Sequence, residues 1–171
     1  MEDNPVEIVH LPVSQWAAYR ALRLAALQQE PAAFSAIYQD NLTRPDSFWQ
    51  DRLAEAAAGG SWLLFASCQG QLVGMIGAYP DRADPGAAVI ISVYVAREFR
   101  GRGIGNLLMS AILAELKESG YRKAVLSVNA AGTPAVNLYL RCGFAITAQE
   151  SGPMGDGQVH TGYRMEKDLT G

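Results

Sequence analysis

The sequence predicts an α/β domain organised on a mixed β-sheet, and three features of the 171-residue chain carry that expectation. From Ser61 onward the apolar period changes from helical to strand-like, so a helical N-terminal third gives way to strands. Residues 62–67 (WLLFAS) and 72–79 (LVGMIGAY) flank Cys68-Gln69-Gly70-Gln71, which reads as an antiparallel hairpin. Residues 88–128 then run strand, helix, strand, a βαβ unit whose strands pair in parallel.

In chain order, 6–11 (VEIVHL) reads as the first strand, with His10 an ordinary strand residue. Ser14 is the expected N-cap of a helix over 15–29. Trp16, Tyr19, Leu22, Leu24 and Leu27 give that helix a broad apolar face, and Pro31 stops it. Residues 31–41 form a turn or short helix, in which Phe34 and Tyr38 serve either the core or a ligand. A second helix covers 45–58 with Phe48, Trp49 and Leu53, and Gly59-Gly60 ends it. After the hairpin and a turn at 80–86 comes the central strand, rich in Val89, Ile90, Ile91, Val93 and Val95. A helix follows to about Ser119 with Gly120 as C-cap, then a strand at 123–128 and a loop at 129–132. Thr133 is the expected N-cap of a short helix over 134–141, with Pro134 at its first position. Strands at 144–149 and 160–167, joined by a turn at 151–157, complete six to seven strands and about four helices. No repeat, linker or low-complexity tail interrupts one domain over 1–171.

A hydrophobic content of 49%, 18% charged residues and a net charge of −3 suit a globular protein and argue against a nucleic-acid binder relying on bulk charge. Cys68 and Cys142 lack metal-ligand spacing and read as two buried, reduced thiols, so no metal is expected. The acidic start (MEDNPVEIVHLP) has no apolar core of a secretory signal, and the apolar runs are too short to span a bilayer. A cytoplasmic protein that binds neither nucleic acid nor membrane is expected.

The informative stretch joins the central strand to the helix after it. Arg97, Glu98, Phe99 and Arg100 lead into glycines at alternate positions, Gly101, Gly103 and Gly105, and then into the helical pattern Ile104, Leu107, Leu108, Ala111, Ile112. The first turn of a helix presents unpaired N–H groups at the positive end of its dipole. Glycines let the backbone curl around a phosphate, and Arg100 and Arg102 add cationic forks. A Walker A loop would need a lysine that is absent after Gly103 and Gly105. A dinucleotide fingerprint would need glycine where Asn106 stands, and an acidic residue on the next strand that 124–128 lacks.

The pattern that fits is Arg/Gln-x-x-Gly-x-Gly/Ala, filled by Arg100, Gly103 and Gly105, and it resembles the phosphate loop of the GNAT superfamily of acyl-CoA-dependent N-acetyltransferases. A second block, Ala135-x-x-Leu138-Tyr139-x-x-x-Gly143-Phe144, resembles the segment that family members carry after that loop, so the resemblance covers about 88–144. It implies a GNAT-like fold, with acetyl-CoA as co-substrate and 88–144 as the binding core. It also implies transfer of an acetyl group to a primary amine of a small molecule or peptide. An acyl-CoA-binding module without efficient transfer is the alternative. Acetyl transfer needs the thioester beside a neutral amine, stabilisation of the developing oxyanion, and a proton for the departing thiolate.

In similar proteins the strand before the phosphate loop splays from its neighbour and pantetheine lies in the gap. The resemblance therefore assigns pantetheine contacts to the main chain around Val93, Tyr94 and Val95, with Val95 the first choice to meet the thioester oxygen. It assigns pyrophosphate to the amides of Gly101, Arg102, Gly103, Ile104, Gly105 and Asn106, the general acid to Tyr139, and further cofactor hydrogen bonds to Asn137 and Asn129. Gly132 stands where many relatives carry Asn, which removes one such bond. The general base is open: 89–95 holds no carboxylate, leaving a water chain, Glu30, Asp40 or no dedicated base. The acceptor is expected between the first helices, the 151–159 turn and the thioester. Its identity and a homodimer stay open.

Overall fold

A computed structural model of the chain describes residues 5–171; the first four residues of the acidic N-terminus lie outside the described residues. Seven strands form one mixed sheet in the order β1-β2-β3-β4-β5-β7-β6. They are β1 (Val6–Val9), β2 (Trp62–Cys68), β3 (Gln71–Pro80), β4 (Ala87–Val95), β5 (Lys123–Asn129), β6 (Ala145–Pro153) and β7 (Val159–Asp168). Five helices cover it: α1 (Trp16–Gln29), α2 (Tyr38–Leu42), α3 (Asp46–Ala57), α4 (Ile104–Glu118) and α5 (Thr133–Arg141). The mixed sheet expected from the sequence is present: β4 and β5 pair in parallel, and the other pairs are antiparallel.

The near-continuous apolar run of β2 has a simple cause, for both faces of the sheet are covered. Alternate residues Leu63 and Phe65 join Tyr19, Leu27, Trp49 and Leu53 under α1 and α3. Their neighbours Leu64, Ala66 and Cys68 join Leu108, Met109, Ile112 and Leu116 under α4. On the first face Tyr19 stands edge-on to both Trp49 and Phe65, at 5.3 and 5.6 Å between ring centroids.

Several local expectations are corrected. Ser14 does not cap α1. The chain turns one step earlier, through a 3-10 turn at Val13–Gln15 closed by Gln15 N–H donating to the Pro12 carbonyl at 2.9 Å, so Ser14 lies inside the turn. Thr133 is the first residue of α5 rather than its cap. Gly132, held by its N–H on the Asn129 carbonyl at 2.9 Å, occupies the cap position. The segment expected as turn or short helix does form a short helix, α2, at its end, which makes five α-helices among the described residues against the four or so expected. Cys142, expected to be buried, is only half-buried at the end of α5, where its Sγ lies 3.5 Å from Asn106 Oδ1. The β6–β7 turn shortens to about 154–158, as β6 continues pairing to Pro153. No helix among the described residues is long and apolar enough to cross a membrane.

Candidate active site

The site arises where β4 parts from β5. Their parallel pairing covers only Ala87–Val89 against Lys123–Val125, whereas β5 continues to pair with β7 as far as Asn129. A bulge in β4 turns it away. Met75 faces Tyr94 and Gly77 faces Ile91, so Ser92 and Val93 together oppose Ile76. Ser92 adopts φ 60°, a left-handed conformation rare for a residue with a side chain. A cavity of about 280 Å³ fills the resulting gap, lined by Ser92 and Val93 of β4, Ser127 and Asn129 of β5, and Ala135 and Tyr139 of α5.

Alternation along β4 decides which main-chain groups face this gap. Ala96 N–H donates to the Val73 carbonyl at 2.8 Å, and Tyr94 is registered with Met75. The groups of Tyr94 therefore face β3, while those of Val93 and Val95 face β5. The Tyr94 side chain points to the other face of the sheet and donates to Gln29 Oε1 at 2.6 Å. Of the three strand residues expected to offer main-chain contacts, two address the gap.

Beyond β4 the chain forms an open cradle. Gly101 and Gly103 have φ of 77° and 78°, and a Cβ at either would point into empty space. Gly103 is the N-cap of α4, and the first intrahelical bond runs from Leu107 N–H to its carbonyl at 3.1 Å. The amides of Ile104, Gly105 and Asn106 precede that bond, as an anion site requires. Gly105 serves packing instead: a Cβ there would lie 3.0 Å from Leu138 Cδ2, which seats the cradle against the helix bearing Tyr139. Arg102 is exposed and lies over Phe99 at 5.1 Å. Arg100 is already engaged: it donates to the Val95 carbonyl at 2.9 Å and to Glu30 at 3.0 Å, bracing the end of β4 against α1. Glu30, one of the open choices for a base, is held by that arginine and by Arg97 at 3.5 Å. Asp40 is exposed on α2 and lines neither this cavity nor the second one described below.

Tyr139 is 6% exposed and stands edge-on to Phe144 at 6.2 Å. Burial pushes its phenol well above the ordinary range, so it stays protonated. Asn129 is buried with both ends of its amide occupied, donating to the Ala32 carbonyl and accepting from Ala131 N–H, each at 2.9 Å. It ties the 31–36 loop to the tip of β5. Asn137 is exposed on α5 and lines neither cavity.

A second cavity, about 480 Å³, lies where the α1–α2 loop and the β6–β7 turn meet over the gap and shares Ile90–Ser92 and Ser127–Asn129 with the first. Gly155 roofs it. Its N–H donates to the Phe34 carbonyl at 2.7 Å, and a Cβ would meet the carbonyl oxygens of Ala36 and Pro31 at 2.6 and 2.9 Å. Arg23 and Arg52 line one side; Glu150, bonded by Ser127 Oγ at 2.9 Å, and His160 line another. His160 Nε2 is 2.7 Å from Asp156 Oδ2, and His160 lines both cavities. Sequence reasoning missed these four residues. They come from α1, α3, β6 and β7, and nothing local marks them as neighbours. A larger hollow of about 660 Å³ between α1 and the ends of β1 and β3 has His10 and Tyr94 as titratable lining groups, already engaged with Glu115 and Gln29.

Comparison with known proteins bears on the family and the fold. Residues 19–144 match the Acetyltransferase (GNAT) family. A mycothiol acetyltransferase of Arthrobacter sp. (strain FB24) is 30% identical over 147 residues, 84% of this chain and 43% of that protein. The L-amino acid N-acyltransferase MnaT of Escherichia coli (strain K12) is 25% identical over 157 residues, 85% and 88% of the two chains. The chain spans 21% and 42% of two other curated relatives it matches, so that, with the Arthrobacter protein, it covers less than half of each of the three. Among solved structures, a GNAT-family acetyltransferase from Streptococcus pneumoniae superposes with a TM-score of 0.83 at 19% identity, covering 96% and 99% of the chains. With 126 of its residues matched (19 to 144 inclusive), the chain belongs to the GNAT acetyltransferase family.

Proposed function

We propose that the protein transfers the acetyl group of acetyl-CoA to a primary amine. The observation that carries this reading is the opening of β4 from β5 beside an open glycine cradle, with Tyr139 lining the cavity between. The amides of Gly101, Arg102, Gly103, Ile104, Gly105 and Asn106 hold the pyrophosphate, with Arg102 adding charge from outside. Val93 and Val95 offer main-chain groups to the pantetheine arm, and the N–H of Val95 faces the carbonyl oxygen. Arg100 acts through Val95 by holding its carbonyl. The acceptor amine approaches from the second cavity. Its nitrogen forms the new C–N bond as the C–S bond breaks, and the electron pair leaves with sulfur. Tyr139 donates its hydroxyl proton toward that sulfur and is reset from solvent. His160, oriented by Asp156, takes the proton the amine gives up.

The GNAT family match supports the reading, as do relatives and solved structures whose names describe acetyltransferases, one of them, yncA from Salmonella typhimurium, with acetyl-CoA. The test is release of free thiol from acetyl-CoA in the presence of an amine panel, with the acetylated product identified by mass. Thiol release that depends on the amine supports transfer; tight acetyl-CoA binding without release identifies a binding module instead.

Two variants extend the test. Gly103→Val places a β-branched residue at φ 78°, about 1–2 kcal/mol of backbone strain, and puts its side chain in the cradle. CoA affinity measured by calorimetry is expected to fall at least about tenfold. His160→Gln is expected to lower kcat with the KM for acetyl-CoA unchanged; an equal change in both would assign His160 to packing.

A further inference from the structure

We infer that the acceptor is an amine that also carries a carboxylate, and that Arg23 and Arg52 bind the carboxylate in the second cavity. The inference rests on the acetyltransferase reading above and adds the class of acceptor. Arg23 sits in α1 between Leu22 and Leu24, only 9% exposed. Its Nη1 is buried without a hydrogen-bond partner, and its guanidinium lies over the Phe34 ring at 5.1 Å. A buried guanidinium cannot shed its proton, so lack of a counter-charge leaves its desolvation uncompensated. Arg52 lines the same cavity from α3, lies over Phe48 at 4.7 Å, and adds a second positive charge beside the first. The ion pairs formed among the described residues involve neither arginine. Two cations facing one cavity with no acid between them are matched by an anionic group, and a guanidinium pairs with carboxylate through parallel N–H···O bonds.

The rest of the lining selects the kind of anion. Glu150 lines the β6–β7 side together with His160, whose ring is bonded to Asp156, so the cavity is positive toward α1 and α3 and carries its acid toward β6. A small zwitterion fits this polarity, with its carboxylate on the arginines and its amine toward Ser92 and Ser127, where the two cavities join. A polyamine would set further positive charge against Arg23 and Arg52, and a dianion would oppose Glu150. At about 480 Å³ the cavity has the size of a small-molecule site.

The experiment measures thiol release with the twenty L-amino acids, their matched carboxamides and spermidine, for the wild type and for Arg52→Gln and Arg23→Met. Arg52 is exposed, so its replacement leaves the fold intact; methionine fills the Arg23 space without a charge. At least one amino acid is expected to exceed its carboxamide in kcat/KM by about tenfold or more, the scale of a charge-assisted hydrogen bond. Each variant is expected to raise the KM for that amino acid by about tenfold or more while leaving its carboxamide and the KM for acetyl-CoA within about twofold. Spermidine or the carboxamides as the better acceptors would overturn the inference and leave the acetyltransferase reading standing. So would variants that weaken amino acid and carboxamide equally. No thiol release with any amine, given acetyl-CoA binding, would overturn both.

Discussion

Tyr139→Phe lowers kcat by about a hundredfold or more while acetyl-CoA affinity stays within about twofold. The substitution keeps the ring that packs edge-on to Phe144 and removes only the hydroxyl. Tyr139 lines the gap, and its hydroxyl makes no hydrogen bond to another described residue, which leaves it available to a group bound there. Desolvation disfavours the phenolate and moves the titration upward, away from neutrality. The sign follows: the donor is fully protonated at low and neutral pH, and its loss does not limit the rate below about pH 10, the ordinary phenol value. Steady-state kinetics of the variant across pH, with calorimetry for the co-substrate, check both statements. Equal losses in turnover and affinity would make Tyr139 a packing residue.

Leu108→Ala destabilises the protein by about 2–5 kcal/mol. Leu108 is completely buried on α4 within the cluster that joins this helix to the sheet. Its Cδ1 lies 3.2 Å from where a Cβ on Gly74 would stand, so helix and strand meet here with no slack. Truncation leaves a cavity one turn from the amides that open α4. Urea denaturation is expected to show a lower midpoint with an unchanged slope. Added CoA is expected to restore part of the loss, because a ligand that binds only the folded state stabilises it. A change below about 1 kcal/mol would mean that α4 is seated by other contacts than these.

How far the chain could be read in advance depended on whether the information was local. The hairpin, the βαβ unit and the glycine cradle are each written in one contiguous stretch, and each is found where the period and glycine spacing place it. The gap between β4 and β5, which Tyr139 lines, lies between the two sequence blocks that carry the family resemblance. What long-range partners do with a side chain was not legible locally. Arg100 and Asn129 are polar residues near the site, yet partners 70 and 97 residues away in sequence, Glu30 and Ala32, occupy their hydrogen-bonding groups. Tyr94 lost its main-chain role to strand alternation fixed by the Met75 register and the bulge at Ser92. Arg23 is one of the charged positions of α1, which in an amphipathic helix form the solvent-facing side. The 31–36 loop, pinned by Asn129 and Gly155, turns that side into a buried wall.

Calorimetric titration of the purified protein with CoA and acetyl-CoA, with ATP and NAD as controls, tests the central claim most directly. Micromolar one-to-one binding of both CoA species with no heat from NAD or ATP is the predicted result. No binding of either CoA species, or binding of NAD or ATP in their place, would contradict it and reduce the Gly101–Asn106 cradle to the cap of a helix.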